Sequence, residues 1–507
     1  MIGFSEVRAG QQCLLRAYKV GRDVPIAPLS ALDGRVGTPG PTSMRPESDP
    51  LADVRALARP LFAGAESAQG DAARTRALMD AGCPRIVDAV VEADGLRVRV
   101  DVLERTARGR WIAVLIRNGV RVSWSLADRA AFTLHVLRAA GHHVAAVHAM
   151  LLDETYERPD AGPVDPHRLF VRRSVSFAAG RRRLLRIAAS VAATRAALAS
   201  PDRPAIAPGA HCRDSRDGCP FLDDCTAHLP ADWTGWFPRK DKPPIREWLA
   251  QGFVRMAAVP VEGRQLPRGA EHARLASRAG GQYVAPTLAA ALAPAGPPAY
   301  YLDFECVSPA VPLYAGTRPY AVVPFLWSVH HDDAAGNLTH VDDLAPPSTD
   351  PPLRRMAEGL IAALGPSSGE PIVVYSSYEW ERLRDLAQAL PDLAEPLQAI
   401  QARLVDLLEV VREHVYDLRF RGSFSIKAVA PALAPEVTYD GLGIRDGLAA
   451  AHAYEAVLRG LDRVHPGGVA PGPDRRAQVL ADLRAYCARD TLAMVALHRA
   501  LLRLRHA

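Results

Sequence analysis

A chain of 507 residues, 49% apolar and 23% charged, is long enough for two or three domains with sizeable cores and has a globular composition. A formal net charge of +5 is too small at this length to mark a nucleic-acid binder, so local patches must carry any such role. Seven cysteines, an odd number, argue against a disulfide framework. The opening Met1-Ile2-Gly3-Phe4-Ser5 lacks a basic region followed by an apolar core, and no apolar run long enough to cross a bilayer is free of Arg. A cytoplasmic protein without membrane contact is expected.

Cys13 stands alone near the start, and residues 38–50 form a Pro-rich surface loop. The stretch Arg97-Val98-Arg99-Val100-Asp101-Val102 reads as a strand bearing an acid, and Val114-Leu115-Ile116-Arg117 reads as the next strand. A helix is expected over 128–140. Arg172, Arg173, Arg181, Arg182, Arg183 and Arg186 precede or enter an Ala-rich helix that leads to a cysteine cluster. There Cys212, Cys219 and Cys225 are spaced C-x6-C-x5-C. One early cysteine and three late ones can clasp the ends of a domain around a four-thiolate metal. Paired C-x2-C knuckles, the usual zinc-ribbon signature, are missing. Cys83, Cys306 and Cys487 read as ordinary small core residues.

This half resembles RecB-type nucleases, which have a restriction-endonuclease-like core and a [4Fe–4S] cluster. The resemblance implies that Cys13, Cys212, Cys219 and Cys225 hold an iron–sulfur cluster, with zinc or free thiols as alternatives. Asp101 matches the family's first catalytic acid. In the E-x-K position, however, Leu115 replaces the metal-binding Glu and Arg117 replaces Lys. Leu cannot ligate a metal, and Arg is no substitute for a compact, deprotonable ammonium. No Gln follows in the next helix, where Phe132 and Thr133 stand instead. The expectation is a degenerate, non-cleaving core over residues 1–230, with Arg181, Arg182 and Arg183 contacting phosphate.

Residues 231–298 read as a helical connector with a basic start at Arg239-Lys240-Asp241-Lys242, stopped by Pro294, Pro297 and Pro298. A short buried strand follows at residues 299–306, ending in Asp303 and Glu305. Alternation puts these two carboxylates on one face, where they repel unless a cation neutralises them. Residues 324–330 and 338–341 read as strands around the turn 333–337, and a helix is expected over 352–364. The β-branched run 371–377 then leads into a helix, placing Glu379 at a strand's carboxyl end, where open α/β sheets place ligands. Tyr486 and Asp490 lie four apart on one face of a helix expected over 475–504.

In this order, the motifs resemble the DEDD superfamily of 3′→5′ exonucleases, tyrosine subclass, over residues 299–507. D-x-E is matched by Asp303 and Glu305, and Y-x-x-x-D by Tyr486 and Asp490. Glu379 takes the place of the usual Asp, with Glu381 and Asp385 close by. The segment Ser425-Ile426-Lys427 resembles the S-x-K segment of these enzymes, with Arg419, Arg421 and Lys427 available to the nucleic-acid backbone. The resemblance implies an α/β fold of two nuclease-type domains, the second a ribonuclease H-like mixed sheet flanked by helices. It further implies two Mg²⁺ or Mn²⁺ ions held by Asp303, Glu305, Glu379 and Asp490, and a water oriented by Tyr486. The expected activity is 3′→5′ exonuclease on single-stranded or 3′-ended nucleic acid, DNA favoured, with a helicase or other repair or defence protein as partner. A catalytically inactive nucleic-acid-binding scaffold and an RNA-processing exonuclease stay open as alternatives. There is no phosphate-binding P-loop, so no ATP motor is expected.

Overall fold

The computed structural model describes residues 1–22, 50–160, 162–213, 219–238, 243–262, 265–267, 269–333, 335–365, 369–459 and 472–504. The fold is mixed α/β. Its contacts divide the chain into two compact units, one of Met1–Cys225 with Pro309–Tyr320, the other of Thr226–Ser308 with Ala321–Ala507. Residues 38–49 of the Pro-rich stretch and the basic run 239–242 lie outside the described residues. Among the described residues, no helix is long and apolar enough to cross a membrane.

The first unit is built on a six-stranded sheet in sequential order. Its strands are β1 (Glu66–Ser67), β2 (Arg85–Ala93), β3 (Leu96–Arg105), β4 (Trp111–Ile116), β5 (Val144–Leu152) and β6 (Phe170–Ser174). Helices α1 (Phe4–Gln12), α2 (Leu14–Arg22), α3 (Trp124–Ala139) and α4 (Arg181–Ala199) accompany it. β4 and β5 run parallel, and α3 makes the crossover between them. That helix begins four residues before the position expected from the sequence, because the Ser123 hydroxyl accepts from the Leu126 amide and caps it at Trp124. Val98, Val100 and Leu115 pack with Phe4, Phe132 and Ile187 in one core, whereas Val102, Val114 and Ile116 join Phe62 and Leu152 in another.

The second unit holds a two-stranded ribbon and a five-stranded sheet. β7 (Gln282–Val284), within the segment expected to be a connector, pairs antiparallel with β13 (Val415–Asp417). The larger sheet has the order β10-β9-β8-β11-β12. It comprises β8 (Ala299–Val307), β9 (Val323–Asp332), β10 (Leu338–Leu344), β11 (Ile372–Val374) and β12 (Leu404–Asp406). The first three form an antiparallel meander, and β11 and β12 add in parallel. β11 is three residues long, shorter than its apolar run suggests, since Ser376 and Ser377 already turn the chain toward α6. Among the helices that accompany this sheet are α5 (Leu353–Leu364), α6 (Tyr378–Ala389), α7 (Ile426–Leu433), α8 (Gly447–Arg459) and α9 (Pro473–Leu504).

One face of β8 and β9 meets α9 along its length. Asp303 pairs across the ladder with Ser328, Tyr301 with His330, and Ala299 with Asp332, so one alternation serves both strands. From that face Tyr301 Oη lies 2.9 Å from His498 Nδ1, and Asp332 accepts a two-pronged bond from Arg499. Ser328 Oγ and His330 Nδ1 lie 2.9 and 2.7 Å from Thr491 Oγ1. Elsewhere Phe325 of β9 stacks on Tyr454 of α8, ring centroids 3.9 Å apart and 6° from parallel, both fully buried. Phe325→Ala should therefore destabilise the C-terminal unit by about 3–5 kcal/mol. A fall in its denaturation midpoint measures this, and an unchanged midpoint would refute the packing role.

Candidate metal and catalytic centre

Asp303 and Glu305 project from β8 toward α9 because residues two apart share a strand face. Glu379 enters from the first turn of α6, where Ser376 Oγ donates to its Oε2 at 3.2 Å. Tyr486, Cys487 and Asp490 come from consecutive turns of α9. Tyr439 Oη donates to Asp490 Oδ1 at 2.5 Å. Lys427 Nζ donates to Tyr486 Oη at 2.7 Å and to the Arg445 carbonyl at 2.8 Å. Its ammonium also stands 4.6 Å from the Tyr486 ring centroid and 5.4 Å from that of Tyr439. The Cys487 sulfur lies 3.4 Å from Asp303 Oδ2.

Every acid of the group is pushed above its ordinary range. Burial raises Asp303 well up, and the charges of Asp490, Glu305 and Glu379 push the same way. Burial, then Asp490, lifts Glu305 to about 8 against the opposing Lys427. Burial lifts Glu379 to about 7 despite the Ser376 bond. Asp490 is raised by burial although Lys427 and Tyr439 pull it down. Tyr486 is raised by burial and by Asp490, Glu305 and Asp303, so its hydroxyl stays protonated at neutral pH. Glu305, 7% exposed, receives no hydrogen bond from any described residue. Four carboxylates, one of them the hydrogen-bond-free Glu305, form a donor set suited to hard divalent cations.

The acid of the first unit has the opposite surroundings. Asp101 accepts from Arg55 Nε at 2.6 Å, from Arg117 at 2.9 Å and from the Ile116 amide at 2.9 Å. Burial works against its charge, but the two guanidiniums prevail and hold it below the carboxylate range. Leu115 is fully buried in the core. Cys13, Cys212, Cys219 and Cys225 line one cavity together with His211. The His211 Nε2 lies 3.4 Å from the Cys212 sulfur, and its bonds to Cys13 and Cys212 raise the imidazole to about 10. Burial pushes the Cys13 thiol up, but the His211 bond and nearby amides outweigh it and the thiol falls below its usual value. Burial raises Cys219 and Cys225.

Of the arginines expected to contact phosphate, Arg181 and Arg182 are exposed at the start of α4. Arg183 is taken up by Asp128 at 2.5 Å and lies over the Trp124 ring. Arg186 pairs with Asp128 as well. Arg421 lies over the Trp236 ring at 4.3 Å, and Arg419 clamps Asp417. Lys427 points at Tyr486, within the carboxylate group. Cys487, read from the sequence as an ordinary small core residue, is fully buried, and its sulfur also lies within 4.8 Å of a carboxylate oxygen of both Asp303 and Glu305. Its signal lay in the helix period, three residues before Asp490. Tyr439, in a loop without periodicity, left none.

A family model described as a domain of unknown function (DUF2779) matches residues 300–425. That span carries Asp303, Glu305 and Glu379 and stops short of Lys427, Tyr486 and Asp490. No curated protein matches the chain.

The raised Glu305 gives a testable pH dependence. Its folded pKa of about 8 exceeds the ordinary 4.5, so its contribution to stability is complete below about 4.5 and is lost as pH rises through 8. Metal-free Glu305→Gln should be more stable than wild type at pH 9 by roughly 2–4 kcal/mol and nearly equal at pH 5. Thermal unfolding at the two pH values decides it; equal differences at both would contradict the raised pKa.

Proposed function

We propose that this protein is a metal-dependent 3′→5′ exonuclease acting on nucleic acid, DNA favoured, by phosphodiester hydrolysis. Its C-terminal unit is then a ribonuclease H-like nuclease domain, and its N-terminal unit a restriction-endonuclease-like domain that binds without cutting. The observation that supports it most is the convergence of Asp303, Glu305, Glu379 and Asp490 with a protonated Tyr486 on one buried spot. Two divalent ions would neutralise phosphate charge and make a bound water more acidic. Asp303, Glu305, Glu379 and Asp490 would hold them.

The remaining steps belong to the chain's own residues. Lys427 donates to the Tyr486 hydroxyl, and that hydroxyl donates in turn to Asp490, so its oxygen is held in a fixed direction beside the acids, where it would orient the attacking water. Tyr439 and Tyr486 both donate to Asp490 and hold that carboxylate in place. The low exposure of Glu305, Glu379 and Asp490 limits bulk water around the reacting phosphate. In the N-terminal unit the guanidinium of Arg117 occupies the position a cation would need beside Asp101, in keeping with binding without cleavage. The four cysteines around one cavity support a [4Fe–4S] cluster there, with zinc as the competing occupant.

End-labelled DNA and RNA, incubated with Mg²⁺ or Mn²⁺, test the activity and choose the substrate. Asp303→Ala, Glu305→Ala and Asp490→Ala should each abolish trimming from 3′ ends. Tyr486→Phe should keep metal binding and lose on the order of 10²-fold in rate. Glu379→Gln should weaken metal binding, and Glu379→Asp should be tolerated. Trimming by Asp303→Ala at the wild-type rate would leave a nucleic-acid-binding scaffold as the better account.

The cluster has its own test. Protein purified without oxygen should be brown with broad visible absorption, and changing Cys13, Cys212, Cys219 or Cys225 to Ala should bleach it. Colourless wild-type protein with stoichiometric zinc would replace iron–sulfur by zinc.

A further inference from the structure

Cys487 brings sulfur into a centre otherwise made of oxygen. Its Sγ and one oxygen each from Asp303 and Glu305 all lie within 4.8 Å of one another. Cys487 is fully buried, and Glu305 is buried with no hydrogen bond from any described residue, so that carboxylate awaits a cation from outside the chain. For bonds of about 2.3 Å to sulfur and 2.1 Å to oxygen, a tetrahedral ion holds two such ligand atoms about 3.6 Å apart. Cys487 Sγ and Asp303 Oδ2 are 3.4 Å apart. The pair therefore stands close to the separation that one ion bridging them requires. Position 487 also lies on the same helix face as Asp490, three residues on.

Taking the carboxylate group as the metal centre proposed above, we infer that Cys487 is a direct ligand of one of its ions, together with Asp303 and Glu305. That position is selective for a borderline divalent transition ion, such as zinc or cobalt(II), over magnesium. Magnesium holds to six oxygen ligands in a strict octahedron, whereas a thiolate favours softer ions in tetrahedral surroundings. As the sulfur–metal bond forms, the thiol proton passes to solvent, so ion uptake releases it.

The test is a cobalt(II) titration of the full-length protein followed by absorption. With Cys212 and Cys219 both changed to Ser to remove cobalt uptake by the other cysteine cavity, the protein should show a sulfur-to-cobalt charge-transfer band in the near ultraviolet that adding Cys487→Ser or Cys487→Ala abolishes. Cys487→Ser should also bind cobalt roughly tenfold or more weakly while its magnesium affinity moves by less than about twofold. Two results overturn the assignment and can be told apart. If cobalt absorption is lost in Asp303→Ala but unchanged in both Cys487 variants, the carboxylate centre stands and the sulfur is not a ligand. If Asp303→Ala and both Cys487 variants all titrate like the parent carrying only those two serines, no metal centre exists there, and the exonuclease proposal falls with it.

Discussion

Mutual repulsion among Asp303, Glu305, Glu379 and Asp490 is the constraint on which the C-terminal unit turns. Burying one carboxylate costs several kcal/mol unless it is paired, and four together cannot all ionise without positive charge. Lys427 is the ammonium directed into the group among the described residues, and it bonds to Tyr486 and a carbonyl rather than to a carboxylate. Burial is the largest cause that raises each of the four acids, and neighbouring carboxylates add to it at Asp303 and Glu305. A fold that keeps such a group gives up stability at neutral pH. Divalent cations would return it by replacing the protons these raised acids retain.

Holding four repelling groups in place requires a stiff frame. The frame is the seam between α9 and the paired strands β8 and β9. Thr491, next to Asp490, lies within hydrogen-bond distance of both Ser328 and His330 of β9. Burial, then the neighbouring His340, lowers His330 to about 4, so the seam adds no positive charge behind the acids. Tyr301 with His498, and Asp332 with Arg499, continue the same face away from the centre. Sliding α9 by one residue would break these bonds together, so the register that fixes Tyr486 and Asp490 is set by polar contacts outside the carboxylate group.

Much of this was legible in the sequence because it follows from the two periods of regular structure. Asp303 and Glu305 share a face by the strand period, and Tyr486 and Asp490 by the helix period. Glu379 was legible as an acid at a strand-to-helix junction. What escaped depends on residues meeting from distant segments. Arg55 reaches Asp101 across 46 positions, and nothing local to either residue announces it. Tyr439 reaches Asp490 from an irregular loop. Lys427 looked like a surface cation because its basic neighbours Arg419 and Arg421 do face Asp417 and Trp236 instead. The segment Pro309–Tyr320 leaves the second unit between β8 and β9 to join the first, with no composition shift to mark it.

Asp101 and Asp303 show how one residue type serves opposite ends. Both are aspartates on central strands with a buried carboxyl group. Asp101 has two guanidiniums and an amide around it, its pKa is lowered, and its charge is fully satisfied by the protein. Asp303 has three acids and a thiol around it, its pKa is raised, and its charge is left for something else to satisfy. The first arrangement is complete without a ligand and stabilises the sheet that contains it. The second is incomplete without one. The capacity of a carboxylate to take up a ligand therefore resides less in the residue than in the charges its neighbours withhold, and by that measure Asp303, not Asp101, is the acid left open to one.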